Sequence, residues 1–183
     1  MKRQCVLLLS VILFTIPVIG LGKGFFKIGQ EAPTFSLMSL KGQSVSIQDL
    51  RGKVVVLGLF HICEPCLIQG TNLQKVYEAT RGKNVAVVGV NSSGDSAEDI
   101  GDFLQHFPVT VTYPYLVDPQ QVTDKLYGGG KFIPNIYIID QQGVIRWQRV
   151  GNFFTDGKLA GHEIILEEVN RLLAGSTPSS SAL

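Results

Sequence analysis

Lys53-Val54-Val55-Val56-Leu57-Gly58-Leu59-Phe60-His61-Ile62-Cys63-Glu64-Pro65-Cys66 runs from an unbroken apolar stretch of strand length straight into two cysteines. An apolar run without alternation suits a central strand buried on both faces. Beyond the cysteines, Leu73, Val76 and Tyr77 fit one face of a helix over residues 66–80, which Gly70 weakens locally. Cys63 therefore falls where a strand turns into a helix.

Working outward from this unit, Val85-Ala86-Val87-Val88-Gly89-Val90 reads as a second buried strand. Asn91-Ser92-Ser93-Gly94-Asp95 is loop chemistry with an N-cap for the next helix, whose Ile100, Phe103, Leu104 and Phe107 recur at helical spacing. Residues 119–127 are predicted helical, 135–140 a strand, 141–143 a turn and 144–150 its hairpin partner. A last helix is predicted over 158–173, with Leu159, Ile165 or Leu166, Val169 and Leu172 inward. Ala32-Pro33-Thr34-Phe35 through Leu50 supplies an extra N-terminal hairpin. This order specifies an α/β fold, a mixed central sheet flanked by helices.

The chain has 183 residues, of which 45% are hydrophobic and 17% charged, enough for one well-formed core, and one domain over 27–174 is expected. Its net charge of +1 comes from 16 basic and 15 acidic residues without long runs, which excludes a nucleic-acid footprint. Met1-Lys2-Arg3 precedes an uncharged apolar stretch, and residues 1–22 read as an export segment. Cleaved signal peptide and retained membrane anchor both fit it, and either puts the domain outside the cytoplasm. The Ser-rich residues 175–183 offer nothing to pack and are expected to be disordered.

Cys5 lies within the export segment, which leaves Cys63 and Cys66 as the thiols of the folded domain. A bridge over so short a loop removes little unfolded-chain entropy, so a structural staple is a poor reading and chemistry a better one. The attacking species in disulfide exchange is the thiolate, whereas a free cysteine, with a pKa of roughly 8.5, is mostly protonated at neutral pH. A helix N-terminus favours negative charge and lowers the pKa of a cysteine placed there. Pro65 suits a first helical turn because its missing N–H would have had no partner. Cys63 is thus the expected nucleophile, and Cys66, one turn on and more buried, the resolving thiol. Glu64 opposes ionisation of Cys63 yet sits near a positive helix end, so a tuning role and that of a solvated loop residue both stand.

Cys63-Glu64-Pro65-Cys66 after a buried strand, Ile133-Pro134 before a hairpin, and Ile138-Ile139-Asp140-Gln141-Gln142-Gly143 together resemble the thioredoxin superfamily. Gly29-Gln30-Glu31-Ala32-Pro33-Thr34-Phe35 and the insert over residues 90–118 are similar to its exported, TlpA/ResA-like branch. The resemblance implies a thioredoxin fold with a central insert and disulfide exchange with extracytoplasmic protein clients, apocytochrome c among them. It also implies a membrane electron donor or acceptor upstream, and no cofactor. Pro134 would be cis, with Ile133 pairing to an extended client. The chain departs from that pattern at three places: Ile62 stands where a tryptophan is usual, Gln69 where a proton-handling glutamate is common, and Leu57 where thioredoxin keeps a buried aspartate. His61 or Glu64 could substitute, or water serve directly.

A competing reading takes His61, Cys63 and Cys66 as copper(I) ligands in a metal-handling protein; the oxidoreductase reading assigns no metal ligand, and there His61 packs at the strand end. A peroxidase of the peroxiredoxin type would need a threonine ahead of its cysteine, where Phe60 and His61 stand. His106 and His162 fall on predicted helices without partners. Gly128-Gly129-Gly130 lacks the strand–loop–helix context of a phosphate loop and is expected to be a mobile loop.

Overall fold

A computed structural model describes residues 28–128, 133–151 and 158–175. The predicted export segment, residues 129–130 of the triple glycine and residues 176–183 of the tail lie outside the described residues. No helix among the described residues is long and apolar enough to cross a membrane.

The quoted apolar run forms β3 (Val54–Phe60), every residue of which is buried. Side chains alternate across a strand, so Val54, Val56 and Phe60 enter one hydrophobic cluster and Val55, Leu57 and Leu59 another. That double burial explains why the run shows no polar positions. A crossover through α1 (Glu64–Ala79) leads to β4 (Val85–Asn91), parallel to β3 and in register from Val54↔Val85 to Phe60↔Asn91. Leu73 and Val76 of α1 pack into the first cluster, as expected.

Around this unit the strands complete a seven-stranded mixed sheet. β1 (Ser36–Ser39) and β2 (Ser44–Ser46) form the expected N-terminal hairpin, which joins the sheet through antiparallel pairing of β1 with β5 (Tyr115–Val117). β5 runs parallel to β4. β6 (Asn135–Ile139) lies antiparallel to β3, and β7 (Ile145–Val150) pairs with β6 as its hairpin partner. The order is β2-β1-β5-β4-β3-β6-β7. α4 (His162–Leu173) closes the first face with Ile165, Val169 and Leu172 inward.

Four expectations are corrected. The insert's helix α2 (Ala97–Gln105) is capped by Ser96, whose Oγ accepts from Asp99 N–H at 3.1 Å, and the loop starting at Asn91 instead continues β4 by one residue. Phe107 is buried but beyond the helix end. The helix expected over 119–127 shrinks to α3 (Val122–Leu126), and the last helix starts at His162 after Gly161, with Leu159 outside it and half-buried. β5 was not predicted.

Glycines open room beneath the site. Gly58 and Gly89 are paired neighbours on β3 and β4. A Cβ on Gly58 would lie 2.6 Å from the Phe60 ring and one on Gly89 2.7 Å from Tyr113, so their absence admits the stack of Phe60 on Tyr115, with centroids 6.0 Å apart. Gly70, a helix-weakening residue by propensity, makes room for the Phe107 ring in the same way.

Candidate active site

β3 ends at Phe60, and the chain passes through His61 and Ile62 into α1, where Cys63 is the N-cap with extended backbone (φ −157°, ψ 155°). Its carbonyl accepts from Cys66 N–H at 3.1 Å and Leu67 N–H at 3.2 Å, while its side chain makes no cap hydrogen bond. The sulfur is therefore left for other chemistry at a helix end that favours anions. Cys63 and Cys66 are joined as a disulfide, their Cα atoms 5.2 Å apart. The two are unequal: Cys63 is half-buried and Cys66 fully buried. His61 N–H donates to Cys66 Sγ at 3.4 Å. Glu64 and Ile62 are exposed, and Pro65 is half-buried in the first helical turn.

The sheet brings the second motif to the same edge. Leu59 pairs with Asn135 in the β3–β6 ladder, so the residues following β3 and those preceding β6 leave the sheet together. The Ile133–Pro134 peptide is cis. Pro134 is buried and its carbonyl accepts from Gly151 N–H at 2.7 Å, whereas Ile133 packs, like Cys63, against the first cluster.

Gln69 is committed elsewhere. At 1% exposed, its amide forms a two-way clasp with Ala160: Nε2 donates to the carbonyl and Oε1 accepts the N–H, both at 2.9 Å. Asn72 Nδ2 adds a donor to the same carbonyl at 3.3 Å. Leu57 is fully buried in the second cluster among Val55, Tyr127 and Tyr137.

Around His61, a candidate from the sequence, the structure gathers acidic groups that the sequence reading missed. His61 is half-buried, and burial pushes its pKa down, opposed by the charges of Asp124 and Asp95. Burial raises the Asp124 pKa, opposed by His61 and Lys125 and reinforced by Asp118. His61 Nε2 and Asp124 Oδ1 are both buried without a hydrogen-bond partner. Asp95 is tied down by Asn91 Nδ2 at 2.9 Å, and α3 by Asp118, which accepts from Val122 N–H at 2.9 Å and from Thr123 N–H and Oγ–H, each at 2.7 Å. No periodicity marks Asp124; only the topology brings it near.

His106 and His162 are corrected in one respect, since both have partners. His106 Nδ1 lies 2.8 Å from the Asp102 carbonyl, and His162 Nε2 3.2 Å from Glu163. Neither adjoins the cysteines in sequence or through these contacts. Among the described residues no three His, Cys, Asp or Glu side chains converge on a common metal position.

A disulfide on the leading turn of a helix, at the carboxyl edge of a central parallel strand pair and level with a cis-proline, defines a thioredoxin-fold thiol–disulfide oxidoreductase. The chain belongs to the AhpC/TSA family, whose profile matches residues 28–148. It is 34% identical over 126 residues to the thioredoxin-like protein YneN of Bacillus subtilis (strain 168), covering 67% of this chain and 71% of that one. Over 161 residues it is 27% identical to the thiol-disulfide oxidoreductase ResA of Bacillus thuringiensis (strain Al Hakam), covering 82% and 91%. Among solved structures, a crystal structure assigned to the thiol:disulfide interchange protein DsbE of Chlorobium tepidum superposes with a TM-score of 0.67 at 28% identity, covering 80% of this chain and 98% of that one.

Proposed function

We propose that Cys63 is the attacking thiolate and Cys66 the resolving thiol of an extracytoplasmic reductant of protein disulfides. The observation that carries the reading is the inequality of the pair: Cys63 is half-buried at the helix N-cap, while Cys66 is fully buried one turn on. A client disulfide can reach only the first sulfur, and a mixed disulfide there is within a turn of the second. Ile133, ahead of the cis-proline, would pair with the client's extended chain. Export follows from the leader sequence, and maturation of secreted proteins such as apocytochromes suits a domain so placed.

Charge around the thiols bears on the direction of electron flow. A pair becomes strongly oxidising when its reduced, thiolate form is specially stabilised. Here the residue beside Cys63 is the carboxylate Glu64, and His61 is held toward its neutral form by burial, so neither supplies a cation to the thiolate. Beyond the helix end itself the reduced state gains no support from these neighbours, which favours electron donation. Equilibration of the domain in graded dithiol buffers with thiol trapping tests this. A midpoint more negative than about −220 mV is expected; one near about −120 mV would show an oxidant instead.

A further inference from the structure

The proposed exchange leaves a proton without an acceptor. Cys66 must lose its proton to resolve a mixed disulfide, yet it is fully buried, and a buried thiol resists ionisation. Position 57 holds an apolar Leu in a packed cluster, and Gln69 uses both ends of its amide on Ala160. Neither can take the proton.

His61 is placed to do so. Its backbone N–H contacts Cys66 Sγ at 3.4 Å, so the imidazole is carried by the residue that touches the sulfur. Its Nε2 is buried with no partner, as is Oδ1 of Asp124, whose charge acts on the imidazole. Buried polar atoms without partners are rare and call for an explanation. An unsatisfied imidazole on the residue that contacts the sulfur, with an unsatisfied carboxylate acting on it by charge, has the makings of a proton-transfer site.

We infer that His61, supported by Asp124, is the proton acceptor for Cys66. The inference rests on the oxidoreductase reading above. In the resolving step the proton leaves Cys66 Sγ for His61, and the Cys66 thiolate attacks Cys63 Sγ. The Cys63–Cys66 bond forms as the bond from Cys63 to the client sulfur breaks. The client sulfur departs with the electron pair as a thiolate and takes up a proton from imidazolium or solvent. The cysteine pair is oxidised by two electrons and the client disulfide reduced by the same two. Asp124 and Asp95 face the imidazole; Asp118 and Lys125 bear on Asp124, and Asp95 also bears on Tyr115. Asp124 acts as a positioning residue through its charge.

The probe is 5,5′-dithiobis(2-nitrobenzoate), mixed with the fully reduced protein in a stopped-flow instrument from pH 5 to 9. The first nitrothiobenzoate released reports attack by Cys63, and the second reports resolution by Cys66. With His61 as base, the second phase is flat above about pH 6.5, the ordinary histidine value, and falls below the lowered pKa of this imidazole. In His61→Gln the second phase should be about 10²-fold slower at pH 7 and rise with pH throughout, while the first phase is unchanged. Asp124→Asn removes a charge that raises the His61 pKa, so the falling limb should move to lower pH; this milder change decides the matter if His61→Gln does not fold. Unaltered second-phase profiles in both variants overturn the role of His61 while leaving the oxidoreductase reading standing. Failure of the wild type to release a second equivalent overturns both.

Discussion

Gln69→Ala should lower stability by a calculable amount, because the Gln69 amide accepts the backbone N–H of Ala160, a residue 1% exposed, and among the described residues that N–H has no other acceptor. Truncation orphans that N–H, at about 1–3 kcal/mol for a buried donor. The carbonyl of Ala160 suffers less, since Asn72 still donates to it at 3.3 Å. Lost packing of a side chain that is itself 1% exposed adds about 1 kcal/mol. The sum is about 3 kcal/mol, which in a domain of this size lowers the melting temperature by about 6–12 °C.

Gln69→Glu sharpens the test. A carboxylate can accept the Ala160 N–H but meets the Ala160 carbonyl with repulsion, whereas the protonated acid can donate to it. Its folded pKa should therefore lie above the unfolded value of about 4.3. A raised acid binds more protons folded than unfolded, so the variant should approach wild type near pH 4 and lose stability as the pH rises toward 7. Thermal unfolding of oxidised Gln69→Ala, and urea unfolding of oxidised Gln69→Glu at both pH values, provide the measurements. A Gln69→Ala midpoint within about 2 °C of wild type on heating, or a Gln69→Glu deficit equal at both pH values, would refute the clasp as a source of stability.

Three further outcomes are expected. Reduced Cys66→Ser, challenged with a disulfide-bonded client peptide, should hold Cys63 in a mixed disulfide visible by intact mass, while reduced Cys63→Ser should hold none; equal trapping would refute the assigned roles. Gly89→Ala drives a Cβ to within 2.7 Å of Tyr113 and 3.1 Å of Tyr115 and should cost about 1–3 kcal/mol in urea unfolding, an estimate sunk by a neutral result. Burial raises the phenol pKa values of Tyr113, Tyr115, Tyr127 and Tyr137, so their contribution to stability is complete below about pH 10 and is lost as the pH climbs past it. Alkaline titration at 295 nm should show these phenols ionising together with the loss of circular dichroism, not before it.

The parts of the fold that were legible are those where a local pattern and the tertiary environment agree. Val54–Phe60 is apolar throughout because both sides of β3 are covered, and the cysteines are legible because their chemistry depends on a local strand-to-helix junction. β5 was hidden because it is three residues long and owes its conformation to pairing with β4 and β1 rather than to its own pattern. α3 was overextended because its start is set by local detail no pattern shows: Gln121 takes a left-handed backbone (φ 54°) and makes no side-chain cap, and the Asp118 side chain, three residues before it, satisfies the first N–H groups. The Asp124 contribution was illegible for the same reason, being delivered to His61 by an element whose placement depends on β5.

Two of the three departures from the family pattern, Leu57 and Gln69, hang together in the structure. A carboxylate at position 57 would have to ionise among Leu57's neighbours Val55, Tyr127 and Tyr137, where desolvation penalises charge. A carboxylate at position 69 would break the clasp that fixes the chain entering α4. A proton acceptor is thus excluded from the interior on both sides and can be accommodated only at the edge of the sheet, where partial exposure lowers the desolvation cost. His61 lies on the same strand-side alternation as Leu57, four residues nearer the thiols, and being neutral in its working form it carries no charge to be buried. Moving the base from a core carboxylate to an edge imidazole keeps the exchange chemistry while freeing Leu57 and Gln69 to serve packing alone.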